Sequence, residues 1–502
     1  MKIVLFRSRY EKEPYMSHAK NSGRITRRTA IKGMALGTLA GGAAVNRVEF
    51  VSAEENRTVD VIVVGAGAAG CMTATNLVAA GKSVVLLEAN ARVGGRLKRG
   101  EIAGQAIDLG GQWVGPSQTR ALEVSSQLGI ATYSTFNKGA MLIDAGGRIY
   151  KGFSIPNEEL TEYLKLAGLI DELAEAIPLH EPWKAPQAEL WDATTMTTWI
   201  RDTVNAQTVR DIIRVIVEVV CSVDPSQISL LQFLWYFKSG NGFNDITGVK
   251  GGAQQDLFKG GFVSVPEKLA EALGDRVVLD APVRAIVQDD HQITAITDQG
   301  KWTAKRLVMT APPTIAARID YAPTLPYKRR GLMERMPMGA VIKCFVAYEK
   351  PFWRDEKLNG QMISSKTEFG STFDITAPGN PHGILCGFFD GGPAMRWADK
   401  SPDERKAQVI EDVAHTFGEA ARSPIEYVEQ NWPAEPWSIG GYTSIPGPGT
   451  LTIFGDAIRT PCGRIHWAGT ETSDIWSGYV EGALRSGDRV AAEVLDALKT
   501  KA

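Results

Sequence analysis

Eleven residues narrow the folds open to this chain more than any others: Asp60-Val61-Ile62-Val63-Val64-Gly65-Ala66-Gly67-Ala68-Ala69-Gly70. The β-branched run predicts a buried parallel strand, and Ala68 to Ala80 predicts a helix. Between them lies G-x-G-x-x-G. Its three glycines serve a tight turn, close approach of a pyrophosphate, and close packing of helix on strand. The helix N-terminus adds free N–H groups and the positive end of its dipole. A second strand, Ser83 to Leu87, ends at Glu88, placed where an acidic residue binds ribose hydroxyls. Strand, turn, helix and acid together predict dinucleotide binding; glycine abundance alone would not, since the chain holds 51 of them.

At 502 residues the chain exceeds one compact core, so at least two domains are expected. The net charge of −2 gives no basis for binding nucleic acid or an anionic membrane. Five cysteines (Cys71, Cys221, Cys344, Cys386, Cys462) are scattered without C-x-x-C spacing, which is neither a disulfide framework nor a zinc site. The six histidines form no H-x-H or H-E-x-x-H, and G-x-S-x-G is absent. Neither a metal centre nor serine-hydrolase chemistry is predicted.

Residues 1–53 are read as a processing segment outside the fold. Thr26-Arg27-Arg28-Thr29-Ala30-Ile31-Lys32 resembles a twin-arginine export signal, although Ala30 stands where such signals carry a large apolar residue. The apolar run Met34 to Val45 is too short to span a bilayer, and Val51-Ser52-Ala53 fits a small-residue cleavage site. Met16 is an alternative start. Twin-arginine export carries folded proteins, so the expected location is the periplasm; a basic tail on a cytoplasmic protein is the alternative.

The remainder divides by pattern. Residues 57–135 hold the dinucleotide turn, then Gly94-Gly95-Arg96, which can wrap a second phosphate or be a plain basic turn, and Asp108-Leu109-Gly110-Gly111-Gln112-Trp113, another glycine cluster beside an aromatic. Residues 136–254 are helical at Leu160–Ala176, Ala206–Val220 and Gln227–Lys238, ending in Phe233, Trp235, Tyr236 and Phe237. Residues 255–315 read as a helix from Val265 to Leu273 and short strands at 277–279, 283–287, 293–296 and 302–304. A separate buried strand follows over Arg306–Thr310. Residues 316–436 leave again, with strands Val341–Tyr348 and Ile384–Phe389 and a helix Glu404–Phe417. Residues 437–499 return through the strand Arg464–Trp467, in which His466 reads as packed, to a helix from Gly478 to Lys499. Lys343 sits within an apolar strand on the face of Val341 and Phe345, an unusual place for a solvated lysine.

Together these motifs resemble the flavin-containing amine oxidases, and among them the monoamine oxidases. The match runs from about residue 58 to 497, and Ala468-Gly469-Thr470-Glu471-Thr472 with Trp476-Ser477-Gly478-Tyr479-Val480-Glu481-Gly482 is its most specific block. The resemblance implies an α/β fold: a doubly wound FAD-binding domain built from three segments, with a discontinuous α+β substrate domain. It implies FAD contacts at Gly65, Gly67, Ala69, Gly70, Glu88, Arg96, Gly111, Gln112, Trp113, Val283, Gly469 and Glu471. Tyr442 and Tyr479 would flank the amine as parallel rings, Lys343 would hold a water near flavin N5, and Gln254 and Tyr236 would line the substrate pocket. The implied reaction is oxidation of a neutral amine to an imine, which water hydrolyses. The expected partners are a small-molecule amine, O2 or an electron-acceptor protein, and a second copy of the chain in a homodimer, with no transmembrane span. Alternatives are an amine dehydrogenase, an L-amino-acid oxidase, and a flavin-binding protein without turnover. Animal monoamine oxidases tether flavin through a cysteine before the first tyrosine; here Gly441 takes that place, so FAD is expected to be held non-covalently.

Overall fold

The computed structural model describes residues 57–499; the stretches read as an export signal and a cleavage site, and the alternative start at Met16, lie outside the described residues. The chain opens with strand β1 (Arg57–Val64), helix α1 (Ala68–Ala79) and strand β2 (Val84–Leu87). In β1, Val61 and Val63 pack into one apolar cluster and Ile62 and Val64 into another on the opposite face of the sheet. A strand buried on both faces reads as a continuous apolar run, which is why this one was visible without alternation. The chain then departs through the hairpin β3 (Ala140–Ala145) and β4 (Arg148–Lys151) into helices α2 (Asn157–Glu175), α3 (Gln207–Cys221) and α4 (Leu230–Ser239). Helix α4 begins three residues later than Gln227 because the Ser229 side chain caps it, accepting from the Gln232 N–H at 3.1 Å.

Helix α5 (Ser264–Leu273) leads back to the first sheet through β5 (Val277–Val278), β6 (Val283–Gln288), β7 (Ile293–Thr297), β8 (Gly300–Met309) and β9 (Asp320–Ala322). Expected as two strands, β8 is one. From Trp302 to Met309 it runs parallel to β1, with Arg57 opposite Trp302 and Val64 opposite Met309. The polar interruption that suggested a break, Lys305, points outward to pair with Asp60 at 2.9 Å. The two halves differ only in their other neighbour: Gly300–Ala304 pairs antiparallel with β7, whereas Leu307–Met309 pairs with a strand from much later in the chain.

A second, mixed sheet follows: β10 (Val341–Tyr348), β11 (Leu358–Ser364), β12 (Ser371–Asp374) and β13 (Gly383–Asp390), then helix α6 (Pro402–Phe417) and β14 (Glu426–Asn431). A reciprocal Ser401–Glu404 capping box starts α6 two residues before the expected Glu404. The chain returns with β15 (Ile465–Trp467) and ends in α7 (Val480–Lys499). The eight-stranded sheet has the order β5-β2-β1-β8-β7-β6-β9, with β15 also on β8. The seven-stranded sheet runs β14-β10-β13-β12-β11-β3-β4, and only its β11–β3 pairing is parallel. Helices α1, α5 and α7 cover one face of the first sheet. Gly487 of α7 lets α1 approach so closely that a Cβ there would sit 2.8 Å from Ala69 O. The architecture is the expected α/β class. Among the described residues no helix is long and apolar enough to cross a membrane.

Candidate active site

The carboxyl ends of the parallel strands open onto one cavity of about 550 Å³, where an open α/β sheet binds its ligands. Val64, Leu87 and Thr310 stand at its floor. Gly65 turns the chain at φ +99°, and a Cβ on Gly70 would fall 1.8 Å from Gly65 O, so the first glycine makes the turn and the last packs helix against strand. Glu88 lines the wall and locks the turn: its Oε2 accepts from the Ala66 N–H at 2.7 Å and its Oε1 from the Asn90 N–H at 2.8 Å. Burial pushes the Glu88 carboxyl above its usual range against these bonds.

Of the residues singled out in the sequence, Gly65, Gly67, Ala69, Glu88, Arg96, Gly111, Gln112, Trp113, Val283, Gly469, Gln254, Tyr236, Lys343, Tyr442 and Tyr479 all line this cavity. Gly70 and Glu471 do not. Gly70 serves packing, as above. Glu471 stands one side chain back, ion-paired to Arg96 at 2.6 Å. His466 is packed away from the wall, 4% exposed and bonded to Glu493 at 2.6 Å.

Lys343 is 2% exposed, and its three N–H donors are all used: on Asp108 O at 2.6 Å, Gly110 O at 2.8 Å and Gln112 Oε1 at 2.7 Å. The ammonium therefore clamps the Asp108–Gln112 turn. Burial pulls its pKa down, opposed by Cys386 and Asp108. Asp108 is itself pushed up to about 6 by burial, opposed mainly by its bonds from Phe262 and Val263 N–H and by Lys343.

Around this clamp the wall is aromatic. Trp113 meets Phe373 edge-on at 4.9 Å, and Phe388 meets Tyr442 at 6.0 Å with planes perpendicular. Tyr479 lies 5.9 Å from Tyr236 and is braced edge-on by Trp476 at 4.7 Å. Tyr442 donates its hydroxyl to Asp390 Oδ1 at 3.0 Å. Asp390, at the end of β13, escaped the sequence reading; its one signal is a carboxylate closing the apolar run Ile384–Phe389. None of the five cysteines lines the cavity, and Cys462 belongs to the core on the far face of the first sheet.

These residues fit a flavin dinucleotide. The N-terminal residues of both α1 and α7 lie on the wall, giving two helix ends for anionic groups. Trp113 Nε1 and Gln254 Oε1, on wall residues, are buried without a hydrogen-bond partner among the described residues, so a donor and an acceptor are left for a ligand. Fold and site define a flavin-binding oxidoreductase. Residues 68–495 match the family described as flavin containing amine oxidoreductase, and the chain belongs to that family, whose members act on CH–NH groups. It is 36% identical over 448 residues to the probable flavin-containing monoamine oxidase A of Dictyostelium discoideum, covering 88% of this chain and 98% of that one. It is 38% identical over 450 residues to the flavin-containing amine oxidase A of Bos taurus, covering 88% and 85%. A putrescine oxidase solved with putrescine bound matches with TM-score 0.85 at 30% identity, over 88% of this chain and 100% of that one. Cyclohexylamine oxidase from Brevibacterium oxydans matches with TM-score 0.84 at 32% identity, over the same shares.

Proposed function

We propose that the protein is an FAD-dependent oxidase of amines that carry no carboxylate, converting R₂CH–NH₂ and O₂ to R₂C=NH and H₂O₂, with hydrolysis of the imine to a carbonyl compound and ammonia. The observation that carries this reading is the wall itself. Among the described residues Glu88, beside the glycine turn, is its only acid, and Lys343, at the aromatic end, spends every donor on the chain. An amino-acid carboxylate would find no charge partner there, and a diamine would find no carboxylate for its second ammonium. FAD would supply the acceptor for a hydride equivalent from the carbon bearing the amine. Glu88 would hold the ribose hydroxyls, and the glycine turn and α1 the pyrophosphate. Arg96 and the N-terminus of α7 would add positive potential along the rest of the cofactor. Tyr442 and Tyr479 would flank the amine, and the apolar rings around them strip it of water, which favours its neutral form.

Anaerobic mixing of the holoenzyme with aryl-alkyl, aliphatic and cyclic amines should bleach the flavin, and aerobic turnover should release one peroxide per amine. No bleaching with any amine overturns the reading. Bleaching with little peroxide replaces oxidase by a dehydrogenase that passes electrons to a protein.

A further inference from the structure

Tyr442 is tied from behind by an acid the proposed reaction does not use. Asp390 closes β13 opposite Val341 of β10, is 4% exposed, and lies off the cavity wall. One oxygen accepts from the Tyr442 hydroxyl at 3.0 Å; the other, Oδ2, is buried with no hydrogen-bond partner among the described residues. A half-satisfied buried carboxyl costs free energy, and steadying a tyrosine ring does not require one.

The charged groups around it come from several elements. Helix α3 brings Glu218, paired with Arg214 at 3.0 Å, with Asp224 and Arg396 also acting on Glu218. Strand β13 contributes Cys386 and β10 contributes Lys343, which is engaged as described. Burial pushes Asp390 well above the usual carboxylate range; the Tyr442 bond opposes this and Glu218 reinforces it. Glu218 is pushed up to about 7 by burial, against Arg214, and Cys386 to about 11, also by burial.

We propose that Asp390 is a positioning residue of the amine site: acting through the Tyr442 hydroxyl, it sets how strongly that side of the cavity attracts a cation. The proposal rests on the reading of Tyr442 as a surface against which the amine sits. A neutral Asp390 leaves Tyr442 an ordinary phenol. An ionised Asp390 draws the O–H toward itself, enriches the ring in electron density and places a negative charge behind it, and both effects strengthen attraction for an ammonium. A protonated nitrogen has no lone pair to assist departure of hydride from its carbon, so the neutral acid is the productive state.

A permanent cation separates the titration of the protein from that of the substrate. Binding of benzyltrimethylammonium to the holoenzyme, read from the flavin absorbance change, should tighten about three- to tenfold as pH rises through the Asp390 midpoint. The uncharged isostere neopentylbenzene should show no such change. Asp390→Asn should abolish the titration. Glu218→Gln should keep it but move its midpoint to lower pH, because a negative neighbour is gone. Tyr442→Phe should shrink the titration, because the hydroxyl through which Asp390 acts is gone, and should move the midpoint of what remains upward, because the bond that stabilises the anion is lost. An Asp390→Asn protein that keeps the wild-type profile overturns the proposal. So does a flat wild-type profile in an enzyme that amines still bleach. Should Asp390→Asn fail to fold, opposite midpoint shifts in the other two variants carry the proposal, and unchanged midpoints overturn it. Failure of amines to bleach the wild-type flavin would instead overturn the underlying reading of the site.

Discussion

Arg96 and Glu471 meet fork to fork, Nη1 to Oε1 at 2.6 Å and Nη2 to Oε2 at 3.2 Å. Arg96 also donates to Tyr442 O at 2.9 Å, while Glu471 Oε1 accepts from Thr443 Oγ1 and the Ser444 N–H, both at 3.1 Å. One ion pair thus joins the Gly94-Gly95-Arg96 turn, the Tyr442 stretch and the turn after β15.

Glu471→Gln should therefore cost about 3 kcal/mol, because it strands a largely buried guanidinium. Thermal unfolding of the apoprotein should show the loss, and flavin should bind at least about tenfold more weakly. Burial raises the Glu471 pKa, but Arg96 and the hydrogen bonds outweigh it and hold the carboxyl below its usual range. A depressed carboxylate contributes stability that is full above its unfolded pKa and lost as pH falls through the folded value. Flavin release on acidification should accordingly begin at higher pH in the variant than in the wild type. Coincident release curves would remove Glu471 from cofactor retention.

Lys343→Met leaves three acceptors of the Asp108–Gln112 turn without their donor. The expected cost is about 2–4 kcal/mol of stability. A buried cation beside the flavin would also stabilise charge as electrons leave, so reoxidation should slow more than amine binding. Stopped-flow traces that separate the two half-reactions test this; equal, small effects would make Lys343 a clamp only.

The neutral amine should be the form oxidised. An alkylamine has a pKa near that of lysine, about 10.4, so about one molecule in a thousand is neutral at pH 7, and shifting it by about three units costs roughly 4 kcal/mol. Desolvation against the aromatic wall can supply this. Cation–π attraction, about 0.5–2 kcal/mol, opposes it. Flavin reduction at limiting substrate should rise with pH toward the amine pKa. A flat profile from about pH 6 to 10 would contradict the idea.

The flavin should be released by acid denaturation. Gly441 lines the cavity where a tethering thiol would stand, and no cysteine of the chain shares that wall. After pelleting, the yellow colour should remain in the supernatant. Colour in the pellet would mean a covalent bond and redirect attention to the wall residues beside Gly441.

We also propose export of the folded holoprotein, from the Arg27-Arg28 pair before the apolar run at Met34. The double substitution Arg27→Lys, Arg28→Lys should retain active enzyme in the cytoplasm. Periplasmic activity in that variant would overturn the proposal.

The central strands of the first sheet were legible because they are buried on both faces and announce themselves as apolar runs, Val61–Val64 being the plainest, and Val341–Tyr348 of the second sheet reads the same way. Less legible were β11, β12 and β14, where Asn359, Gln361, Thr372, Glu429 and Gln430 interrupt the apolar pattern because their side chains find partners in the fold. Within the site, motif residues came through with their positions but not their ranks. Glu471 carries a bracing contact to Arg96 and Lys343 a clamp on the Asp108–Gln112 turn, neither of which the motifs announce. Asp390 could not be weighed at all, since its meaning depends on Tyr442, 52 positions away.

Strand β15 and helix α7 have a consequence in time. Both belong to the sheet that begins with β1, and Gly469, Tyr479 and Val480 complete the cavity. During synthesis, β1 and α1 wait for nearly the whole chain before that wall exists. Domains acquire their structure as units while the ribosome proceeds, so the cofactor has nowhere complete to dock until the last helix emerges. The two ends of the chain must therefore meet before the wall is whole.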